Sequence, residues 1–356
     1  MNYDVVLATR NRQSILKISL QLVLAQTRLP RRVIVVDASD DHREVCNIVK
    51  QALHNSGTNL DLEIIESEPG SSLQRNVGLR RVESPVVILP DDDALWFPDS
   101  AEHVMRIYER DTEGLVGCVA AKVSSVYPVG AFGSDLPPYK MELRDRLSKN
   151  IRTVLGPLEE WLLPDPVSPG GMWMRVWGAK VGPAWLAQEN AALCGPVFGY
   201  RMSFRTFVIR EIGGFDEELG RYAMFEDSDA TIGSLCQRLN VLAAGARVYH
   251  YRVPGERVAG WEFGMMAILN RAYVVCKHSP PSSRARRMMK RYLRYKMIRY
   301  FAQSYSRYGR ERLKGAFAAA LCLGELLDAP SEQVTNRYTC IRKRVTDSVN
   351  SHLGAR

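Results

Sequence analysis

Four short runs of β-branched and aliphatic residues, at 4–8, 33–36, 60–65 and 86–89, are each followed by a stretch with room for a helix. Strands spaced this way cannot be joined by tight hairpins. The crossovers return each strand parallel to the last, so a mostly parallel, doubly wound α/β sheet is the expected fold. The stretch from Ser14 to Gln26 carries Ile15, Leu16, Ile18, Leu20, Leu22, Val23 and Leu24 and reads as a buried helix, with Asn11 or Ser14 near its amino end. Further helices are expected through Val45, Ile48, Val49 and Leu53, and from about Ser72 to Arg81. Val86-Val87-Ile88-Leu89 shows no polar alternation, as in a strand covered on both faces.

Three of these strands end on polar residues: Thr9, then Asp37 and Ser39, then Asp91-Asp92-Asp93. In a parallel sheet those ends share the carboxyl edge, where open α/β folds bind ligands. Three consecutive carboxylates repel one another unless a cation sits among them. Alternate residues point the same way, so Asp91 and Asp93 are candidate ligands of a divalent ion; a solvated acidic turn is the alternative for the triplet alone. A nucleotide lying across the edge needs an acceptor for its base or ribose, which Asp37 supplies, and a cation for its diphosphate. Mg²⁺ or Mn²⁺ suits that place, being a hard ion shared between carboxylate and phosphate oxygens. For Asp37 taken alone, a turn or helix-cap role is the commoner case. No glycine-rich phosphate loop follows the first strand, which counts against a dinucleotide-dependent dehydrogenase and a kinase.

At this point the chain resembles a known family. Val5-Val6-Leu7-Ala8-Thr9-Arg10-Asn11-Arg12, Val33-Ile34-Val35-Val36-Asp37-Ala38-Ser39, Gln74-Arg75-Asn76-Val77-Gly78-Leu79 and Ile88-Leu89-Pro90-Asp91-Asp92-Asp93 occur in the order seen in family 2 glycosyltransferases of the A-type fold. The resemblance implies a catalytic domain over 1–258, with a donor half at 1–123 and an acceptor half at 124–258, and a nucleoside-diphosphate-sugar donor. Carried across, Thr9, Arg10, Asp37, Ser39, Arg75 and Asp92 contact that donor, and Asp91 and Asp93 form the metal-binding pair. The plain alternative for Arg75 is a helix-surface arginine. Ala38 stands where many relatives have a second acid, which leaves the nucleobase open.

A second signature follows: Gly213-Gly214-Phe215-Asp216, then Phe225-Glu226-Asp227-Ser228-Asp229 ahead of an apolar face at Ile232, Leu235 and Leu239. Acids in the first turn of a helix are favoured by its dipole, which is a structural reason for one of them. In the family signature the Asp of the Glu-Asp pair is the catalytic base, which implies Asp227. A carboxylate there deprotonates the acceptor hydroxyl as it attacks the sugar carbon. Asp229 is the nearby alternative, and Glu226 is expected to orient acceptor or base. His250 ends the strand expected over 241–249; a lone His is usually structural, whereas in the family a His here completes the metal site. Arg252 and Arg257 follow, either meeting diphosphate or sitting in a solvated loop. The stretch from Ser124 to Pro196, rich in Pro, Gly and Trp, is expected to form the acceptor-side wall. Within it Trp173 and Trp177 are candidates for stacking on a sugar, with local core as the alternative.

Charge sets the end of the chain apart. Residues 271–356 hold 19 Lys/Arg against 5 Asp/Glu, a surplus of 14, whereas residues 1–270 are net acidic by 5. A basic helical region is expected over 259–356. Within 284–308, Met289, Leu293, Met297 and Phe301 recur every four residues among five Tyr/Ile positions, with Arg or Lys filling the rest. Such a helix can lie in a membrane interface, and many relatives use lipid-linked acceptors; the alternative is a helix packed on the catalytic domain with a solvated basic side. Seven scattered cysteines, an amino end unlike a signal and the absence of a spanning apolar run point to a cytoplasmic protein, peripheral on the inner face of a membrane where 284–308 engages it. The whole reads as an inverting, metal-dependent glycosyltransferase acting on a glycan or lipid-linked acceptor. Two alternatives stand beside it: nucleotidyl transfer on a similar fold, and a basic adaptor for nucleic acid or membrane. The intact acidic motifs make a nucleic-acid partner the less favoured.

Overall fold

The computed structural model describes residues 1–130, 161–168, 172–253 and 258–353. Part of the expected acceptor-side wall, and Arg257, lie outside the described residues. The chain begins β1 (Tyr3–Thr9), α1 (Gln13–Leu24), β2 (Arg32–Asp37), α2 (His42–Ser56), β3 (Asp61–Glu66), α3 (Ser71–Leu79) and β4 (Val86–Leu89). These are the alternating units anticipated above, and the four strands pair in parallel in the order β3-β2-β1-β4. A short β5 (Ala94–Trp96) then precedes α4 (Ser100–Arg110) and β6 (Val116–Val123). After the helical turn α5 (Trp173–Trp177) come β7 (Ala191–Leu193), β8 (Met202–Arg205), α6 (Glu226–Gln237) and β9 (Leu239–His250).

β8 enters antiparallel between β4 and β6, β9 runs parallel to β6, and β5 and β7 pair antiparallel with β9. The parallel order therefore stops at β4, the strand that ends in the acidic triplet. All four residues of β4 are buried, as expected of a strand with helices on both sides. On one face α1, α2 and α4 contribute Leu16, Leu20, Val45, Val49, Val104 and Tyr108 to a core with β1, β2 and β6. On the other, Leu79, Phe215, Ile209 and Ala230 cover Val6, Ile34, Val87 and Phe204.

A second, helical core follows, built by α7 (Gly260–Lys277), α8 (Arg284–Ala302), α9 (Arg307–Leu321) and α10 (Val334–Leu353). Helix α7 is buried along nearly its whole length and crosses α9 at backbone contact. A Cβ at Gly264 would collide with the Arg312 carbonyl, and one at Gly315 with that of Trp261. On α8, Met289, Tyr292, Leu293 and Tyr300 turn into this core. The side expected to meet a membrane is thus mostly consumed by packing on the protein, because only there does it find a fixed apolar surface. Ile298 and Phe301 stay exposed, at 68% and 72%. Among the described residues no helix is long and apolar enough to cross a membrane.

Candidate active site

Register brings the polar strand ends together. Thr9 lies beside Asp37 across β1 and β2, and Asp91 bridges to Ala8 just past β4. The last residue of β9 is placed by its antiparallel pairing with β5, which sets His250 opposite Ala94, next to Asp93. As a result one side-chain ligand atom from each of Asp91, Asp93 and His250 lies within 4.8 Å of the others. The His250 ring stacks on Tyr200, with centroids 4.2 Å apart, which fixes its plane. Asp93 Oδ1 is buried without a hydrogen bond of good geometry, and His250 Nε2 stands 3.3 Å away. A buried carboxylate oxygen left over, beside a second carboxylate and an imidazole, fits a Mn²⁺- or Mg²⁺-type ion. Burial works against the Asp93 charge, but His250 and Arg12 outweigh it and hold the pKa below the ordinary value.

Arg75 joins this group to the second half of the chain. Its guanidinium is buried, donating to Asp91 Oδ1 at 2.6 Å and to Glu226 and Ser71, with the Phe215 ring beneath it. The helix-surface alternative for Arg75 does not hold. Asp227, next along α6, accepts from the Gly199 N–H at 2.8 Å and from the Ser228 N–H at 2.6 Å. A Cβ at Gly199 would stand 3.0 Å from the Arg75 guanidinium, so the backbone there runs close beside Arg75. Burial raises the Asp227 pKa against the pull of the Gly199 N–H and of Arg75. It pushes Glu226 up to about 7, again opposed by Arg75 and reinforced by Asp227.

Asp229 faces the other way. It is buried between Lys277 Nζ and His278 Nε2, each 2.7 Å from it, and these outweigh the effect of burial and hold its pKa down. It fastens α6 to the end of α7 and is no longer a candidate base. Asp229→Ala would leave Lys277 without one of its two carboxylates and is expected to cost about 3 kcal/mol of stability, read from the chemical denaturation midpoint. An unchanged midpoint would remove this role.

The cleft over the sheet edge, about 420 Å³ in volume, is lined by Thr9, Arg10, Arg12, Gly70, Ser71, Gln74, Arg75, Asp91, Asp92, Arg221, Tyr222 and Glu226 among others. Thr9 Oγ1 donates to Asp92 and Arg12 pairs with it at 2.9 Å, so Asp92 ties down the cleft floor. Burial pushes the Asp92 pKa up to about 7, opposed by Arg12 and reinforced by Asp93. Asp37 is fully buried; its carboxylate accepts from the Ser39 N–H and meets His42 Nδ1 at 2.7 Å. Ser39 Oγ in turn accepts from the Asn11 N–H. Asp37 and Ser39 thus brace the turns around the cleft and do not line it. Trp173 is buried against Gly195, and Trp177 donates its indole N–H to the Pro166 carbonyl; both serve the local core and neither lines the cleft. Sequence reasoning passed over Arg12, Arg221 and Tyr222. Arg12 stood inside a quoted motif, whereas Arg221 and Tyr222 belong to an irregular stretch without periodicity.

Residues 4–157 match the family model described as Glycosyl transferase family 2. No curated protein matches the chain by sequence. Among solved structures, S. aureus TarS is similar with a TM-score of 0.52 at 16% identity, over 96% of this chain and 55% of that one. The chain therefore spans about half the length of that TarS structure. S. aureus TarS 1-349 in complex with UDP-GlcNAc gives a TM-score of 0.51 at 15% identity, over 98% of this chain and 92% of that one. At such identities the likeness is one of fold, and that fold is the A-type glycosyltransferase fold with helices at the carboxyl end.

Proposed function

We propose that this glycosyltransferase, with its family 2 segment at 4–157 and its A-type fold, is an inverting, metal-dependent enzyme. It moves a sugar from a nucleoside-diphosphate donor to a hydroxyl of a glycan or lipid-linked acceptor. The observation that carries the reading is the Asp91–Arg75–Glu226 chain of ion pairs, which links the proposed metal carboxylates to the residue beside the proposed base. Asp91, Asp93 and His250 would hold the ion. When bound, such an ion supplies neutralising charge for the departing nucleoside diphosphate. Asp227 removes the acceptor proton as the oxygen attacks the anomeric carbon from the face opposite the leaving group, so the centre inverts and no enzyme nucleophile is needed. Thr9, Arg10, Arg12 and Arg75 face the donor, while Asp37 and Ser39 shape its nucleoside end through the turns they brace. The cytoplasm, where nucleotide sugars are made, is the proposed compartment.

A thermal-shift series with nucleoside-diphosphate sugars and Mn²⁺ or Mg²⁺ tests this. The matching donor is expected to raise the melting point only with metal, since a ligand specific to the folded state stabilises it. Asp91→Asn/Asp93→Asn is expected to abolish the metal-dependent part. Products should be a nucleoside diphosphate and a glycoside of inverted configuration; pyrophosphate release would favour nucleotidyl transfer, and retained configuration would exclude the single displacement.

A further inference from the structure

Away from the cleft, a pocket of about 480 Å³ opens between α5 and the first turns of α8, lined by Arg175, Arg284, Arg287, Met288 and Arg291. Arg284, Arg287 and Arg291 follow helical spacing, so their side chains share one face and repel one another. All three are exposed. Helix α8 has no acid in its first turn, so the dipole adds to the repulsion there. Among the described residues no carboxylate pairs with any of the four. Arg175 spends one nitrogen on the Trp161 carbonyl and lies over its ring, and Arg287 reaches the Ser282 carbonyl. Two other cations on α8 and one on α7 are treated differently. Arg286 is buried among main-chain carbonyls, Lys290 pairs with Asp328, and Arg271 pairs with Asp165. Those four cations line one cavity, while Arg294, exposed on the same helix, lies outside it.

We infer that this pocket is a binding site for phosphate groups, of the phosphate-ester or diphosphate class, separate from the donor cleft. Planar guanidinium groups match phosphate oxygens in pairs of hydrogen bonds, which an ammonium cannot do. Four of them around one concavity offer more donors than a single phosphate can use, which favours two linked phosphates. Arg175 sits on α5, whose Trp173 packs on Gly195, a few residues before Gly199, the glycine that donates its N–H to Asp227. The pocket therefore lies where the acceptor half meets the basic helical region, and it shares no residue with the metal group.

Inorganic pyrophosphate is the probe, titrated calorimetrically into the full chain in the presence of a chelator; a nucleoside diphosphate is titrated in parallel with Mn²⁺ and no chelator, to read the metal-dependent donor cleft. Saturable pyrophosphate binding is expected, weakened at least about tenfold in Arg287→Ala/Arg291→Ala, since each lost charge-assisted bond is worth roughly a factor of ten. Nucleoside diphosphate binding should be unchanged in that variant. Both positions are exposed, and an unaltered melting point would show that the variant folds. Arg287→Lys/Arg291→Lys should recover only part of the binding. No saturable binding, or equal binding by wild type and alanine variant, overturns the assignment. Flotation with phosphatidylglycerol vesicles separates the sources. Vesicle binding lost in the variant, without saturable pyrophosphate binding, would mean a lipid surface and would also overturn the pocket.

Discussion

Asp227→Asn is expected to lower the rate of sugar transfer by about a thousandfold while donor binding stays close to wild type. Asn has the same shape but cannot take a proton. Both carboxylate oxygens of Asp227 accept main-chain N–H bonds, from Gly199 and Ser228. The Asn amide must turn its NH₂ toward one of these donors, so a stability loss of about 1 kcal/mol is expected alongside the kinetic one. Measuring the melting point separates the two. Loss of nucleotide binding together with activity would take Asp227 out of the base role.

The pH profile carries the same prediction. A base works unprotonated, so activity is present above its pKa and lost as pH falls through it. Burial raises the Asp227 pKa, which moves the acid limb of kcat upward from where an ordinary aspartate would set it. Glu226, pushed up to about 7, lies beside it, yet its carboxylate is engaged by Arg75 and Ser71. The limb is therefore expected to survive in Glu226→Gln and to vanish from the residual activity of Asp227→Asn. The reverse pattern would make Glu226 the base.

What could be read from the sequence follows the range of the interactions involved. Thr9, Asp37 and Asp91 were placed at one edge because parallel strands repeat their direction, a property fixed by local spacing. His250 needed more: it reaches Asp93 through β5, three residues long and antiparallel to β9, and three residues carry too little periodicity to announce a strand. The separation of Asp227 from Asp229 was legible in principle. Two positions apart on a helix is about 200° around its axis, so only one of them can face a cleft. Trp173 and Trp177 show the opposite limit, since an indole that stacks on a sugar and one that fills a core have the same composition around them. The basic helix meets a related limit. Its four-residue apolar repeat fixes an amphipathic helix, but whether the apolar side meets lipid or protein depends on α7, α9 and α10, far along the chain.

Arg286→Met is expected to be among the most destabilising single changes in the molecule, at about 4 kcal/mol or more. In the sequence Arg286 looks like one more member of a solvated basic face. In the fold it is 1% exposed and donates to four main-chain carbonyls, those of Cys276, Ser279, Leu327 and Ala329. Among the described residues the charge has no carboxylate partner. It is held by carbonyl dipoles, those of Cys276 and Ser279 at the carboxyl end of α7, where the helix dipole is negative. Met fills similar space but leaves those carbonyls without donors in a site closed to water, each costing on the order of 1 kcal/mol or more. Lys keeps the charge with fewer donors and no planar fork, so Arg286→Lys should fall between the two. Hydrogen exchange is expected to show the loss first in α7, α8 and the 323–329 turn, with β1, β2 and β4 protected as in wild type. The effect should also reach catalysis, because α7 ends in Lys277, which grips Asp229 two residues after Asp227. A loosened α7 slackens the first turn of α6, lowering kcat more than donor affinity. A variant that unfolds at the wild-type denaturant concentration would show that water enters the site and satisfies those carbonyls. The helical core would then owe its order to apolar packing alone.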